Sequence, residues 1–451
     1  MSKIKLFPHQ KTVLDETRQF NRVAYYLDMG LGKTFVGSEK MIDLNTNLNL
    51  LVCQKSKIDD WMKHFESYYS NLKVLNCTIG KNLTLVNQGL PVEQKFILVI
   101  SYDLLFRRPL FKTLFGFTLM LDESSIIQND ETKRTRFILQ MQPENVVLLS
   151  GTPTSGKYEN LWSQAQLLGW KISKKVFNSQ YVNWKKINVG GFPRWIVDKD
   201  EPYKNVERLK RKLREHGAVF MKTEECFDLP EQTIIKQTVP TSTEYWKFMK
   251  DCIITIDTLN QKEFHDDSDF YGTDVTPRIE LVGDTTLTKR LYARQLCGQY
   301  SEFKLQAFKE LVQSTQDRLI VFYNFNAELE LLKRIAASLD RPISEVNGQT
   351  KDLTAYEQED NSITFIQYQA GAMGLNLQKA NKIIYFTLTD KSELFEQSKK
   401  RIHRIGQEQP CFYYILMCKG SVEEVILQTL EMRKDFTDEL FNEYERMENN
   451  G

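Results

Sequence analysis

The chain has 451 residues, 41% of them hydrophobic and 26% charged, a length that calls for two or three cores and a balance that excludes fibrous and disordered classes. With 60 lysines and arginines against 59 aspartates and glutamates the net charge is +1, so the chain does not coat nucleic acid by bulk positive charge, and any contact with a polyanion has to be local. Seven scattered cysteines without a CxxC pair exclude a disulfide framework and a zinc ribbon and point to a reducing compartment.

The opening MSKIKLFPHQ lacks the apolar stretch of a secretory signal, and no apolar run is long enough to cross a bilayer. The expectation is an intracellular protein, cytoplasmic or nuclear, with no membrane partner. Between residues 23 and 150 the short apolar runs VAYYL, LNLLVC, FILVIS, FTLMLDE and NVVLLS alternate with helix-like stretches, the pattern of βαβ units around a parallel sheet. Residues 155–217 read as mostly helical and basic, and the run RLKRKLR at 208–214 reads chiefly as the solvated face of a helix. Residues 227–240 (FDLPEQTIIKQTVP) read as an extended connector. Residues 266–284, acidic and carrying Gly272, Pro277 and Gly283, read as a loop or insertion. Alternation resumes with LIVFY, ITFIQY, KIIYF and FYYILM, which predict a second βαβ lobe. The charged end, about 422–448, has Val425, Ile426, Leu430, Phe436, Leu440 and Phe441 at helical spacing and is expected to pack on that lobe.

The first apolar run ends in Asp28-Met29-Gly30-Leu31-Gly32-Lys33-Thr34, and a helix follows. Gly30 and Gly32 let backbone N–H groups close on phosphate oxygens at a helix N-terminus, Lys33 reaches the β- and γ-phosphates of ATP, and Thr34 takes the Mg2+ ion. Leu27 stands where the strict GxxxxGK[ST] pattern has its first glycine. The run FTLMLDE ends in Asp122 and Glu123, an aspartate to hold Mg2+ and a glutamate to polarise an attacking water. Taken alone, the same acid pair also fits a helix N-cap.

In order, the blocks LFPHQ, DMGLGKT, DESS, SGTP, QAGAMGLNL and QSKKRIHRIGQ resemble the motif ladder of superfamily-two helicases, and the last two resemble its Swi/Snf branch. The resemblance runs from residue 6 to about 430. It implies an α/β chain of two RecA-like lobes, parallel sheets flanked by helices, with a helical insertion and an interlobe connector. The division it implies is an N-terminal ATP-binding lobe with a helical protrusion (1–225), a connector and insertion (226–285), and a C-terminal helicase lobe ending in a helix (286–451).

The same resemblance implies an ATP hydrolase that translocates on double-stranded DNA. Gln10 would read the adenine edge, which an amide matches chemically, with Phe7 or His9 nearby. Lys33, Thr34 and Asp122 would hold phosphate and Mg2+, Glu123 would be the general base, and Ser150, Gly151 and Thr152 would couple ATP state to nucleic-acid grip. Arg401 and Arg404, three apart and expected on one helix face, would act as arginine fingers, supported by Gln397 and Gly374. Nucleic-acid contacts would fall on strand-end loops, at Gln54, Lys55 and Ser56, at Ser101 and Tyr102, at Tyr323 and Asn324, and at Gly371 and Ala372. There backbone N–H groups meet phosphates and position the strand without reading bases.

Two departures stand out. DESS replaces DEAH or DEGH, which puts Ser124 and Ser125 where a histidine commonly helps coupling. The connector MKTEECFDLPEQ lacks the paired arginines common there. No chromatin-reading or nuclease module and no oligomer signal is legible, so a bare, monomeric motor is expected. Three other readings remain: a helicase that separates strands of DNA or RNA, a non-hydrolysing scaffold, and a P-loop switch or kinase. The intact Lys33, Asp122, Glu123 and Arg404 speak against the scaffold, and the second lobe speaks against the switch.

Overall fold

Each apolar run of the first half forms a strand buried on both faces. In chain order the strands are β1 (Arg22–Leu27), β2 (Leu48–Cys53), β3 (Lys73–Asn76), β4 (Phe96–Ser101), β5 (Phe117–Asp122), β6 (Asn145–Ser150), β7 (Trp184–Val189), β8 (Phe192–Val197) and β9 (Ala218–Met221). The computed structural model describes residues 4–91, 93–189, 191–257, 278–371 and 375–441. It divides into two compact units, Met1–Asp228 with Arg433–Gly451, and Leu229–Met432.

The first unit holds a seven-stranded sheet in the order β3-β4-β2-β5-β6-β1-β9, parallel throughout. Successive side chains of a strand point to opposite faces, so Leu119 and Leu121 enter one core with Val52, Ile100 and Leu148, while Met120 enters another with Leu51, Val99 and Leu149. Helices on both faces close these two cores, which is why the strands read as continuous apolar runs. β7 and β8 form a separate antiparallel hairpin, where the sequence predicted helices.

The second unit adds β10 (Gln232–Val239), β11 (Ile253–Asp257), β12 (Arg278–Val282), β13 (Leu319–Tyr323), β14 (Ile343–Val346), β15 (Lys351–Asp352), β16 (Ile363–Gln367), β17 (Lys382–Tyr385) and β18 (Cys411–Cys418). Its sheet runs β10-β18-β17-β13-β16-β14-β15, parallel except for the antiparallel β14–β15 pair. Cores again lie on both faces. The chain is thus two RecA-like lobes, each a parallel-dominated sheet between helices.

Three expectations are corrected. The predicted connector contains β10, which pairs along its whole length with β18 as an edge of the second sheet. Part of the predicted loop at 266–284 is β12, paired with β11; residues 266–277 lie outside the described residues. Among the described residues the terminal helix covers Val422–Phe441. Ile426, Leu427 and Leu430 enter the second unit's core, but Val425 is 61% exposed; the side chains of Phe436, Leu440 and Phe441 lie outside the description. All seven cysteines are free. Among the described residues no helix is long and apolar enough to cross a membrane.

Candidate functional site

β1, β6 and β5 lie side by side, so the segments that follow them emerge together at the carboxyl edge of the sheet, where open α/β folds bind ligands. After β1 the chain turns through Gly30 and Gly32, both at positive φ, into the helix Lys33–Asp43. A side chain at Gly32 would be strained by φ +74°, and its Cβ, 2.2 Å from Gln10 Nε2, would push that amide from its place. The loop is pinned from both sides. Asp28 accepts hydrogen bonds from Met29 N–H at 2.8 Å and from Thr223 Oγ1 at 3.0 Å, and Leu31 C=O accepts from Gln10 Nε2 at 3.1 Å. Gln10 Oε1 also accepts from Phe7 N–H. The amide is 3% exposed and ties the first helix to the phosphate loop. Lys33 Nζ donates to Leu27 C=O at 2.7 Å and Asp28 C=O at 3.1 Å.

The acid pair closes the other side. Asp122 Oδ2 accepts from Trp61 Nε1 at 2.8 Å. Burial raises the Asp122 pKa to about 6, with Glu123 adding to the shift and the Trp61 hydrogen bond, Lys33 and Lys57 opposing it. Glu123 has φ +57° and ψ +62°, a left-handed conformation that costs a non-glycine residue roughly 1–2 kcal/mol. Its carboxylate is fixed there by Ser150 Oγ at 2.6 Å and Ser125 Oγ at 3.0 Å, and Ser150 Oγ in turn accepts from Thr152 N–H. Ser124 Oγ donates to Gln164 Oε1, which also accepts from Tyr26 OH. The two serines of DESS, Ser125 at the histidine position and Ser124 before it, therefore bind the glutamate and a buried glutamine. Gly151 packs on the lysine: a Cβ there would lie 3.3 Å from Lys33 Nζ.

Of the first unit's predicted nucleic-acid loops, Lys55 and Ser56 are exposed on the turn Lys55–Lys57 after β2. Ser101 and Tyr102 are buried, and Tyr102 OH donates to Asp122 C=O at 3.0 Å, so that side chain supports the acid pair from beneath. The basic run at 208–214 lies in the helix Val206–Glu215, where Leu209 and Leu213 are buried and Lys210 and Lys212 pair with Glu207 and Glu215. Arg208 and Arg211 are exposed on it, whereas Lys210 is buried, so the run is an ion-paired helix surface that is solvated only in part.

In the second unit, β17, β13 and β16 are neighbours. Tyr323 is buried at the end of β13. Asn324 Nδ2 donates to Thr387 Oγ1 at 2.9 Å and to the carbonyls of Thr387 and Leu388. The buried carboxyl of Glu328 organises this loop, accepting from Asn324 N–H, Phe325 N–H and Thr387 Oγ1, and burial pushes its pKa up to about 7. Gly371 ends the short helix Tyr368–Gly371 after β16; Ala372 and Gly374 lie outside the described residues.

Arg401 and Arg404 do not share a helix face. The helix Ser392–Lys399 stops before them, and both sit in the turns that follow. Arg401 is 5% exposed, whereas Arg404 is half-buried, bonded to Asn376 Oδ1, with burial lowering its pKa. Gln397 is buried on the preceding helix and donates to Glu393. The turns are held by Gln407, whose Nε2 is 2.9 Å from Ala380 C=O and 3.2 Å from Gln378 C=O, and by His403 Nε2, 2.9 Å from Pro230 C=O. Sequence reasoning missed Trp61, Gln164 and Glu328, which lie outside every motif, and Thr223, which lies in the connector block MKTEECFDLPEQ. Gln407 was within reach, as the last letter of the HRIGQ block.

Comparison with known proteins bears on this arrangement. The SNF2-related domain matches residues 26–298, and the helicase conserved C-terminal domain matches residues 303–406. A relative from Mus musculus, SWI/SNF-related matrix-associated actin-dependent regulator of chromatin subfamily A member 1, is 25% identical over 90% of this chain and 40% of its own. The SWI/SNF-related matrix-associated actin-dependent regulator of chromatin subfamily A-like protein 1 of Drosophila melanogaster is 23% identical over 96% of this chain and 55% of its own. The chain thus spans about half the length of these curated relatives. Among solved structures, the Sulfolobus solfataricus SWI2/SNF2 ATPase core in complex with dsDNA aligns over 97% of this chain and 93% of its own, with 19% identity and a TM-score of 0.45.

Proposed function

The chain belongs to the SNF2-related family, and from that membership we propose that it is an ATP-driven motor that translocates on double-stranded DNA, acting as a monomer inside the cell. One observation carries the reading: three motifs distant in sequence meet at one sheet edge, with Gly151 against Lys33 and with Glu123 hydrogen-bonded to Ser150.

ATP phosphates occupy the loop at 28–34, where backbone N–H groups and the helix N-terminus favour anions, and Lys33 turns from its loop carbonyls to the phosphates. The Asp122 carboxylate and Thr34 hydroxyl are hard oxygen donors suited to Mg2+, and the raised pKa of Asp122 is that of a buried acid with too little positive charge near it. Asp122 and Thr34 would hold the ion, which would supply charge neutralisation to the transferred phosphoryl group. Glu123, aimed by Ser125 and Ser150, accepts the proton of the attacking water. The hydrogen bond from Thr152 N–H to Ser150 carries the state of Glu123 into the loop at 150–152. Arg404 neutralises the developing charge of the γ-phosphoryl group, and Arg401 and Gln397 support it from the same turns; Gln10 borders the adenine. DNA phosphates meet the loops at Lys55 and Ser56, Ser101 and Tyr102, Tyr323 and Asn324, and Gly371, the buried tyrosines serving through their backbone.

The test is ATP turnover by the wild type and by K33A, E123Q and R404A, with duplex DNA, single-stranded DNA or RNA at one fixed salt concentration. Duplex DNA is expected to stimulate most, and each variant to lose on the order of a thousandfold or more. Near-normal turnover in all three variants overturns the site, and stimulation by RNA alone turns the reading to an RNA helicase.

A further inference from the structure

β7 and β8 form a two-stranded ribbon that pairs with no other strand among the described residues. An isolated hairpin is marginal unless something covers a face, yet none of the described side chains of 184–197 belongs to either core of its unit. Its large side chains face water instead: Phe192 is 78% exposed, Trp195 62% and Trp184 41%.

The register places Lys186 opposite Trp195 and Trp184 opposite Val197. Since side chains alternate along a strand, Trp184, Lys186 and Trp195 share one face, and Lys185, Arg194 and Phe192 share the other. Each face therefore presents a bare ring beside a cation. Residues 184–197 carry three cations and no carboxylate, with Asp198 directly after them, in a chain whose net charge is +1; among the described residues Lys185 pairs, at 3.6 Å, with the exposed Asp200 beyond the hairpin.

Clustered exposed rings mark an interaction surface, and the local charge selects an anionic partner. Nucleic acid supplies both features, phosphates for the cations and flat base faces for the rings. Bases in a duplex have their faces covered by stacked neighbours, so only unpaired bases are open to Trp195 and Phe192. We propose that this hairpin grips unpaired nucleotides beside a duplex, which makes DNA with a single-stranded flank, a fork or an overhang, the preferred substrate. The inference rests on the motor reading only for the duplex half of that substrate.

The test uses the full chain without ATP and measures binding of fluorescently labelled blunt duplex and of the same duplex with a thymine overhang. The wild type should bind the overhang form at least tenfold more tightly. The F192A/W195A variant should lose that preference, since each stack contributes on the order of tenfold, while its duplex-stimulated ATP turnover and melting temperature stay unchanged. K186Q/R194Q should flatten the salt dependence of overhang binding by about 1.4 in log–log slope, roughly 0.7 for each phosphate contact on a single strand. Equal affinity of the wild type for both DNAs, or an undiminished preference in F192A/W195A, overturns the proposal, and polyglutamate binding that F192A/W195A abolishes then assigns the hairpin to an acidic peptide instead. Wild-type protein that shows the overhang preference but no nucleic-acid-stimulated turnover refutes the motor and leaves the hairpin standing.

Discussion

Asp122 is asked to do two opposed things. As the proposed Mg2+ ligand it would have to be buried enough to fix an ion beside Glu123 and ionised to bind that ion. Burial raises its pKa to about 6, above the ordinary value for an aspartate. Because the metal takes the carboxylate form, Mg2+ affinity is present above about pH 6 and is lost as pH falls through that value, about tenfold for each further unit. ATP turnover at limiting Mg2+ should therefore fall on the acid side with a midpoint near pH 6, and raising Mg2+ should move that midpoint lower, since ion and proton compete. A midpoint that ignores Mg2+ assigns the limb to another group. The stability consequence has the opposite sense. A folded-state pKa above the unfolded one means that ionised Asp122 weighs against the metal-free fold above about pH 6 and not below pH 4. D122N, which keeps an acceptor for Trp61, should thus melt higher than the wild type at pH 8 without Mg2+, while losing turnover.

At the scale of elements, the sheet edge that carries the phosphate loop depends on a close approach that only glycine permits. Gly217, leading into β9, has φ +83°, and a Cβ there would lie 2.3 Å from the backbone oxygen of Arg22; its own carbonyl accepts from Ala24 N–H at 3.0 Å. G217A has to relieve a backbone collision and a left-handed conformation together, and should cost about 2–4 kcal/mol, read as a lower denaturation midpoint for the first unit's transition. An unchanged midpoint means that β9 separates from β1 at little cost. β9 also shows where the sequence fell silent. β1, β2, β4, β5 and β6, and in the second unit β13, β16, β17 and β18, are covered on both sides and so appear as apolar runs. β3, β9, β14 and β15 have four residues or fewer and, unlike the equally short β17, are not buried continuously, so they leave no apolar run. β10 alternates half-buried and exposed positions as an edge strand does, and prolines on both flanks disguise it as a connector. The β7–β8 hairpin had a signal, Gly190-Gly191 between two six-residue runs, but basic residues read as helix surface hid it. The phosphate loop and the acid pair were legible because phosphate and Mg2+ chemistry restricts residue type. Trp61, Gln164 and Glu328 were not, because the need for a buried hydrogen-bond partner restricts only what stands beside it in space.

Across the whole molecule, the groups assigned to hydrolysis are divided between two units that each have their own cores. Lys33, Asp122 and Glu123 belong to one and Arg404 to the other. This division makes a distinctive prediction, because stability and catalysis should combine differently. Glu123 is held by Ser125 and Ser150 and Arg404 by Asn376, so the two share none of these partners. The stability effects of E123Q and R404A should therefore add to within about 0.5 kcal/mol in the double variant. Under the proposed mechanism the two residues would act on one transition state, the glutamate on the water and the arginine on the phosphoryl group, and neither contribution would be realised without the other. If each single variant loses about a thousandfold, independent action would multiply to about a millionfold, whereas joint action leaves the double variant close to the poorer single one. Single-turnover rates of the four proteins, with duplex DNA saturating, separate these outcomes. A multiplied loss means that Arg404 serves some other step, such as DNA grip, and a loss near the thousandfold level places it at the phosphoryl group together with Glu123.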